Sequence, residues 1–270
     1  MVETILLILL FVRGAYFGSF FTLATYRLPK KENITHKHSY CPNCQHKLGI
    51  LDLVPIASYF FLGGKCRYCK QKIGIRYPLF EILTGIVFVL FGLSLKMDIY
   101  AVDLSQWVYL VLGILYLTSL FLLAGIDKEQ NKVQKSVLFF GVFVSLAYMI
   151  YSYTLHRQNV YAYVIYLSIM VLLLLADTVQ FQKKLNYNDM LQTLVLLVYM
   201  LIFSGLYITI STVVCTILII GFINIIKGMR GKKQQKVTSQ KQPKPIVFYL
   251  CVSNIIMLIL NNFLINYYMK

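Results

Sequence analysis

Two sets of residues in this sequence could do chemistry. The first is a pair of carboxylates, Asp127 and Asp189. Asp127 closes the apolar run in FLLAGIDKEQNKVQK, and Lys128, Glu129, Lys132 and Lys135 follow it. Asp189, in KKLNYNDMLQTLVLLVYM, stands just before an apolar run begins. Two carboxyls meeting on one membrane face could hold a single proton, because like charges about 3 Å apart cannot both ionise. One would activate water while the other hydrogen-bonds a peptide carbonyl, and the titration would belong to the pair. The residues also allow a plainer role: both acids sit at helix ends, and Asp189 suits an N-cap. Asp177, near the end of another apolar run, is a rival acid.

The second set is Cys41-Pro-Asn-Cys44 and Cys66-Arg-Tyr-Cys69, two C-x2-C pairs with 21 residues between them. Each pair can aim two sulfurs at one ion, so four thiolates can close a tetrahedral structural zinc site. The metal would replace a core that so short a loop cannot build. Two disulfides are the alternative, disfavoured in a reducing compartment; a redox C-x-x-C is another. His36, His38 and His46 lie nearby and are expected to be solvated loop residues. Cys215 and Cys251 stand alone in apolar runs as packing residues.

The elements that position these groups are apolar helices. The 270 residues are 59% apolar with mean hydropathy +0.69. Runs of about 20 such residues indicate an all-α polytopic membrane protein, since a helix satisfies its own backbone in lipid. Eight spans are predicted, at roughly 4–26, 79–95, 106–126, 136–154, 160–178, 190–204, 206–226 and 246–267. The first is read as a retained helix, and Ser204-Gly205 breaks the sixth from the seventh. With eight spans, segments 27–78, 127–135, 179–189 and 227–245 share one face and hold 22 of the 26 Lys and Arg. The positive-inside rule makes that face cytoplasmic and accounts for the net charge of +16 without a nucleic-acid partner. Asp127 and Asp189 then fall on the same face. The expected division is a first transmembrane helix (1–26), a cytoplasmic zinc-binding loop domain (27–78) and a helical bundle (79–270) with a basic loop at 227–245. The ten Lys and Arg of the 27–78 loop, against Glu32 and Asp52, would hold it near anionic membrane lipids. Arg13 and Glu81, ionisable residues in or beside spans, would face the bundle, a water-filled cavity or the interface.

GSFFTLATYRLP (Gly18–Pro29) resembles the GSF-x-N-V-x-x-x-RLP segment of bacterial type IV prepilin peptidases, with the paired C-x2-C motifs following. GIRYPLFEILTG (Gly74–Gly85) resembles the family's I-x-x-R-YPL-x-E-x-x-T-G segment, and QPKPIVFYL (Gln242–Leu250) its stretch before the last helix. The resemblance implies a membrane aspartic protease of the GxGD type in the cytoplasmic (inner) membrane. It would cleave the basic leader from prepilins or pseudopilins, with Asp127 and Asp189 at the positions of the catalytic pair. Many members also methylate the new N-terminus with S-adenosylmethionine. This chain departs from the pattern at the site itself. Asn186-Tyr187-Asn188-Asp189 replaces GxGD, Leu191 stands where a Lys is usual, and Gln134 where a Pro is. Asn is the best substitute for Gly in the left-handed region. A non-catalytic relative that binds pilin-like partners is the second reading. A transporter is a third, with no broken helices to support it.

Overall fold

The computed structural model describes residues 2–30, 38–96, 103–155, 160–183, 188–231 and 245–268. Glu32, His36, Asn186, Tyr187 and most of the basic 227–245 loop lie outside that set. The described chain is helical: α1 (Val2–Arg27), a 3-10 turn (Ile50–Asp52), α2 (Ala57–Phe61), α3 (Arg76–Ser94), α4 (Leu104–Gln130), α5 (Lys135–Thr154), α6 (Val160–Lys183), α7 (Asn188–Ser204), α8 (Leu206–Gly231) and α9 (Ile246–Tyr268). The eight long helices coincide with the eight apolar runs. Six of them, α1, α3, α4, α5, α8 and α9, are long and apolar enough to cross a membrane, and the described apolar stretches of α6 and α7 are shorter. The protein is an all-α, multi-pass membrane protein. Extended structure among the described residues is limited to two isolated bridges, Tyr40 with Lys47 and Lys65 with Lys72.

Two compact units divide the chain: residues 1–110 with 266–270, and residues 111–265. In the first, α1 packs along α3 through small residues. A Cβ on Gly14 would lie 2.7 Å from the Gly85 Cα, and one on Gly18 would lie 2.8 Å from the Glu81 Cα. Without a hydrophobic drive between helices in lipid, such close backbone approach supplies the packing. The GSF and TG segments therefore meet as two faces of one helix pair. Phe17 and Phe88 close the seam with ring centroids 5.8 Å apart.

In the second unit, α7 packs on α5, α6 and α8. Gly205 takes φ +85° and donates its N–H to the Leu201 carbonyl at 3.0 Å, ending α7 one residue before α8 starts. Buried polar side chains tie the helices internally. The Tyr116 hydroxyl of α4 donates to Asn254 Oδ1 of α9 at 2.7 Å, and Asn254 Nδ2 donates to Thr212 Oγ1 of α8 at 3.1 Å. Tyr116 also stacks on Phe203 at 4.0 Å. Interhelical hydrogen bonds of this kind contribute about 1 kcal/mol each in lipid.

Three helix ends lie beyond the sequence reading, α4 at Gln130, α6 at Lys183 and α8 at Gly231, and α4 shows why. The apolar run ends at Ile126, but α4 continues to Gln130. Helical hydrogen bonding does not stop where apolar side chains do. It stops at Asn131, whose φ of 51° and N–H bond to the Asp127 carbonyl (2.8 Å) form a left-handed cap.

Candidate active site and metal centre

The metal-ligand set assembles from two copies of one local design. Cys41 N–H bonds the His46 carbonyl, and Gln45 N–H turns back to the Cys41 carbonyl; Cys66, Gln71 and Lys70 repeat both bonds. The turn in each copy needs a left-handed residue, Gln45 and Lys70, both at φ 59°. Each knuckle projects two sulfurs the same way. The four Sγ atoms of Cys41, Cys44, Cys66 and Cys69 lie within 4.8 Å of one another. Cys41 and Cys69 are 3.9 Å apart and unbonded, as are all six cysteines. Metal–sulfur bonds of about 2.3 Å in a tetrahedron put sulfurs about 3.8 Å apart, so the set fits one ion. The ion would be fully ligated and would supply structure rather than an open Lewis-acid position.

Hydrogen bonds favour thiolate at one corner. The Gln71 N–H and then the Asn43 amide draw the Cys69 thiol down to about 6. Around the cluster, Asp52 joins the 3-10 turn to the second knuckle. Its carboxylate accepts from Arg67 Nε at 2.6 Å, the Tyr68 hydroxyl at 3.2 Å and the Gly49 N–H at 3.1 Å. Burial pushes the Asp52 carboxyl up, but Arg67 and the Gly49 N–H outweigh it and hold it below the usual value. His46 stacks on Tyr68, with centroids 3.6 Å apart, and is not one of the clustered ligands.

Glu81 proves to be an anchor for this loop. It is 8% exposed on α3, and its Oε2 accepts the Ile56 N–H at 2.7 Å. Arg27, 4% exposed at the end of α1, donates to the His38 carbonyl at 3.2 Å. Both residues belong to the motif segments, where sequence alone does not assign these partners. Arg13 is exposed on α1.

Asp127 is 5% exposed in the last turn of α4, and its Oδ2 accepts the Phe248 N–H at 2.8 Å. Phe248 lies in the first turn of α9, where backbone N–H groups lack helical partners. Lys128 Nζ sits 5.0 Å over the Phe248 ring. Asp189 is the second residue of α7, and Asp177 lies in α6; the side chains of both are outside the described set. Two further polar atoms lie near these acids in sequence. Asn131 Oδ1 and Gln192 Oε1 are buried with no hydrogen-bond partner among the described residues. Sequence reasoning missed both; the available signal was an amide beside each acid at a helix end.

Residues 12–95 match the family described as Bacterial Peptidase A24 N-terminal domain. This segment is similar to a peptidase A24 N-terminal domain. It contains the α1–α3 glycine seam, the four clustered cysteines and Glu81. The chain is also similar to curated proteins named prepilin leader peptidase/N-methyltransferase. That of Klebsiella pneumoniae is 35% identical over 128 residues, 45% of this chain and 52% of the relative. That of Vibrio cholerae is 32% identical over 152 residues, 48% of this chain and 59% of the relative. That of Bacillus subtilis is 36% identical over 96 residues, 34% of this chain and 39% of the relative. These matches span about half the length of the relatives or less. No solved structure matches the chain. The likeness to prepilin peptidases read from the motifs is thus met by the A24 domain and by its relatives.

Proposed function

We propose that the chain is a membrane aspartic endopeptidase that removes the basic leader from prepilins or pseudopilins at the cytoplasmic membrane face. The observation that carries this is the match of residues 12–95 to the A24 N-terminal domain family, together with similarity to relatives named prepilin leader peptidase/N-methyltransferase. Asp127 and Asp189 are the catalytic pair in this reading. Asp127 is already withdrawn from bulk water at a helix end, which suits a carboxyl that shares a proton. The precursor's apolar helix would lie against the bundle and present the scissile bond at the α4 and α7 termini. The excess of Lys and Arg in one set of loops supports the cytoplasmic face. Cys41, Cys44, Cys66 and Cys69 would hold a structural zinc that keeps the 27–78 loop folded, outside the reaction. Residues 79–270 would be the peptidase bundle.

Methyl transfer to the freed N-terminus with S-adenosylmethionine is the other half of the relatives' name. Co-expression with a pilin-like precursor, followed by mass spectrometry of its N-terminus, reads both reactions. Leader loss that depends on Asp127 and Asp189 supports the peptidase, and a methyl on the new N-terminus extends it. Cleavage that survives both Asp→Asn changes overturns the assigned pair.

The replacement of GxGD by Asn186-Tyr187-Asn188-Asp189 favours a second reading, a non-catalytic scaffold that binds pilin-like partners. An intact leader after co-expression, with the precursor still co-purifying, decides for the scaffold.

A further inference from the structure

The loop between α1 and α3 exposes apolar side chains that its small interior does not use. Ile50 is 87% and Leu51 72% exposed in the 3-10 turn, and Phe60 is 68% and Phe61 90% exposed in α2. The turn and α2 are in contact, so both apolar pairs belong to one short stretch of the loop. Contiguous exposed apolar surface beside polar side chains marks an interaction site.

Two observations identify what covers it. The first is depth. The Ile56 N–H, one residue before α2, bonds Glu81, the sixth residue of α3. At 1.5 Å rise per residue, Glu81 lies about 8 Å along that span from its start. Ile56 holds φ 62°, which a β-branched residue avoids, so the bond to Glu81 keeps a costly turn that lays α2 beside the helix base. The second is charge. Residues 38–76 carry Lys47, Lys65, Arg67, Lys70, Lys72 and Arg76 against Asp52 alone, and Asp52 is bonded to Arg67. A basic leader peptide or a second copy of the loop would meet like charge. An anionic leaflet meets opposite charge, and apolar tips among basic residues suit its headgroup boundary.

We propose that residues 50–61 are a lipid-inserting element. Ile50, Leu51, Phe60 and Phe61 enter the headgroup–acyl boundary of an anionic leaflet, and the surrounding Lys and Arg meet its headgroups. The cysteine module is thereby docked flat on the bilayer from which α1 and α3 emerge.

Trp107 is the one tryptophan of the chain, so Trp107→Phe gives a silent background. In it, Phe61→Trp and, as a control in the same module, Lys47→Trp report local surroundings in full-length protein reconstituted with phosphatidylglycerol-containing bilayers. Lipids brominated on the acyl chain should quench the tryptophan at 61, which enters the acyl boundary, at least about twofold more than that at 47, which stands at headgroup level. Replacing phosphatidylglycerol by phosphatidylcholine should weaken the difference. Equal quenching at the two sites, with both open to iodide, overturns the proposal. So does shielding of position 61 from both quenchers that depends on protein density (a second copy) or on added pilin-like precursor. Equal strength in phosphatidylcholine overturns the part assigned to charge. The readout needs no leader cleavage, so its result is independent of the proposed peptidase activity.

Discussion

The Asp127 carboxylate accepts the backbone N–H of Phe248 at 2.8 Å, joining the last turn of α4 to the first turn of α9 across 121 residues. The bond gives Asp127 a structural role beside the chemical one proposed for it, and the two separate by substitution. Asn keeps an oxygen that can accept from Phe248 but cannot ionise. Asp127→Asn should abolish leader cleavage with little change in thermal stability, whereas Asp127→Ala should also lose about 1–2 kcal/mol, the usual cost of a lost helix cap. Cleavage by Asp127→Asn at the wild-type rate would refute its catalytic assignment. Asp189→Asn should be as inactive as Asp127→Asn, and the double variant no worse, because the two act as a unit. Asp177→Asn should cleave normally.

The glycine seam makes a steric prediction. Gly14→Ala places a methyl 2.7 Å from the Gly85 Cα, so α1 and α3 must move apart. Overpacking of this kind costs about 1–3 kcal/mol. Thermal unfolding in detergent should register it, while Gly221→Ala, with open space around its Cβ position inside α8, should lose nothing and gain up to about 1 kcal/mol from helix propensity.

The two knuckles predict a gain. Gln45 and Lys70 hold left-handed backbone at φ 59° that glycine adopts without strain. Gln45→Gly and Lys70→Gly should each stabilise the metal-loaded loop by about 1 kcal/mol. Slower metal loss to a chelator would record this. Cys41→Ser should instead lower bound metal and open the loop to protease.

Glu81 should tolerate glutamine better than alanine, since glutamine can still accept the Ile56 N–H. Glu81→Ala should release the 50–61 segment to limited proteolysis, and Glu81→Gln should protect it nearly as well as wild type. Equal protection in both variants would remove the anchoring role.

What the sequence made legible was what short-range pattern encodes. Apolar runs marked the eight long helices, and Ser204-Gly205 marked a turn that only a residue free to take φ +85° makes so short. The C-x2-C spacing foretold four converging sulfurs, because each knuckle is a local hydrogen-bonded loop. Long-range partners were not legible. Nothing in QPKPIVFYL announces that its Phe248 N–H meets Asp127, and nothing near Val54-Pro55-Ile56 points to Glu81. The Tyr116–Asn254–Thr212 chain left a fainter trace: an amide inside an apolar span must find a polar partner, though the pattern does not say which. The end of α4 was misplaced by four residues because hydropathy reports the solvent, whereas Asn131 sets the stop.

The turn at Gly205 bears on bilayer thickness. With 17 residues, α7 rises about 25 Å, less than the roughly 30 Å of a typical hydrocarbon layer. The chain reverses into α8 after a single residue, so α7 cannot lengthen at that end. Lipid must thin around it, or one end of α7 must ride below its surface. Asp189 belongs to the first turn at the other end, and acyl-chain length therefore acts on the depth at which that helix end lies. Reconstitution in lipids of graded chain length should change the rate of leader cleavage, with thinner bilayers matching α7 best.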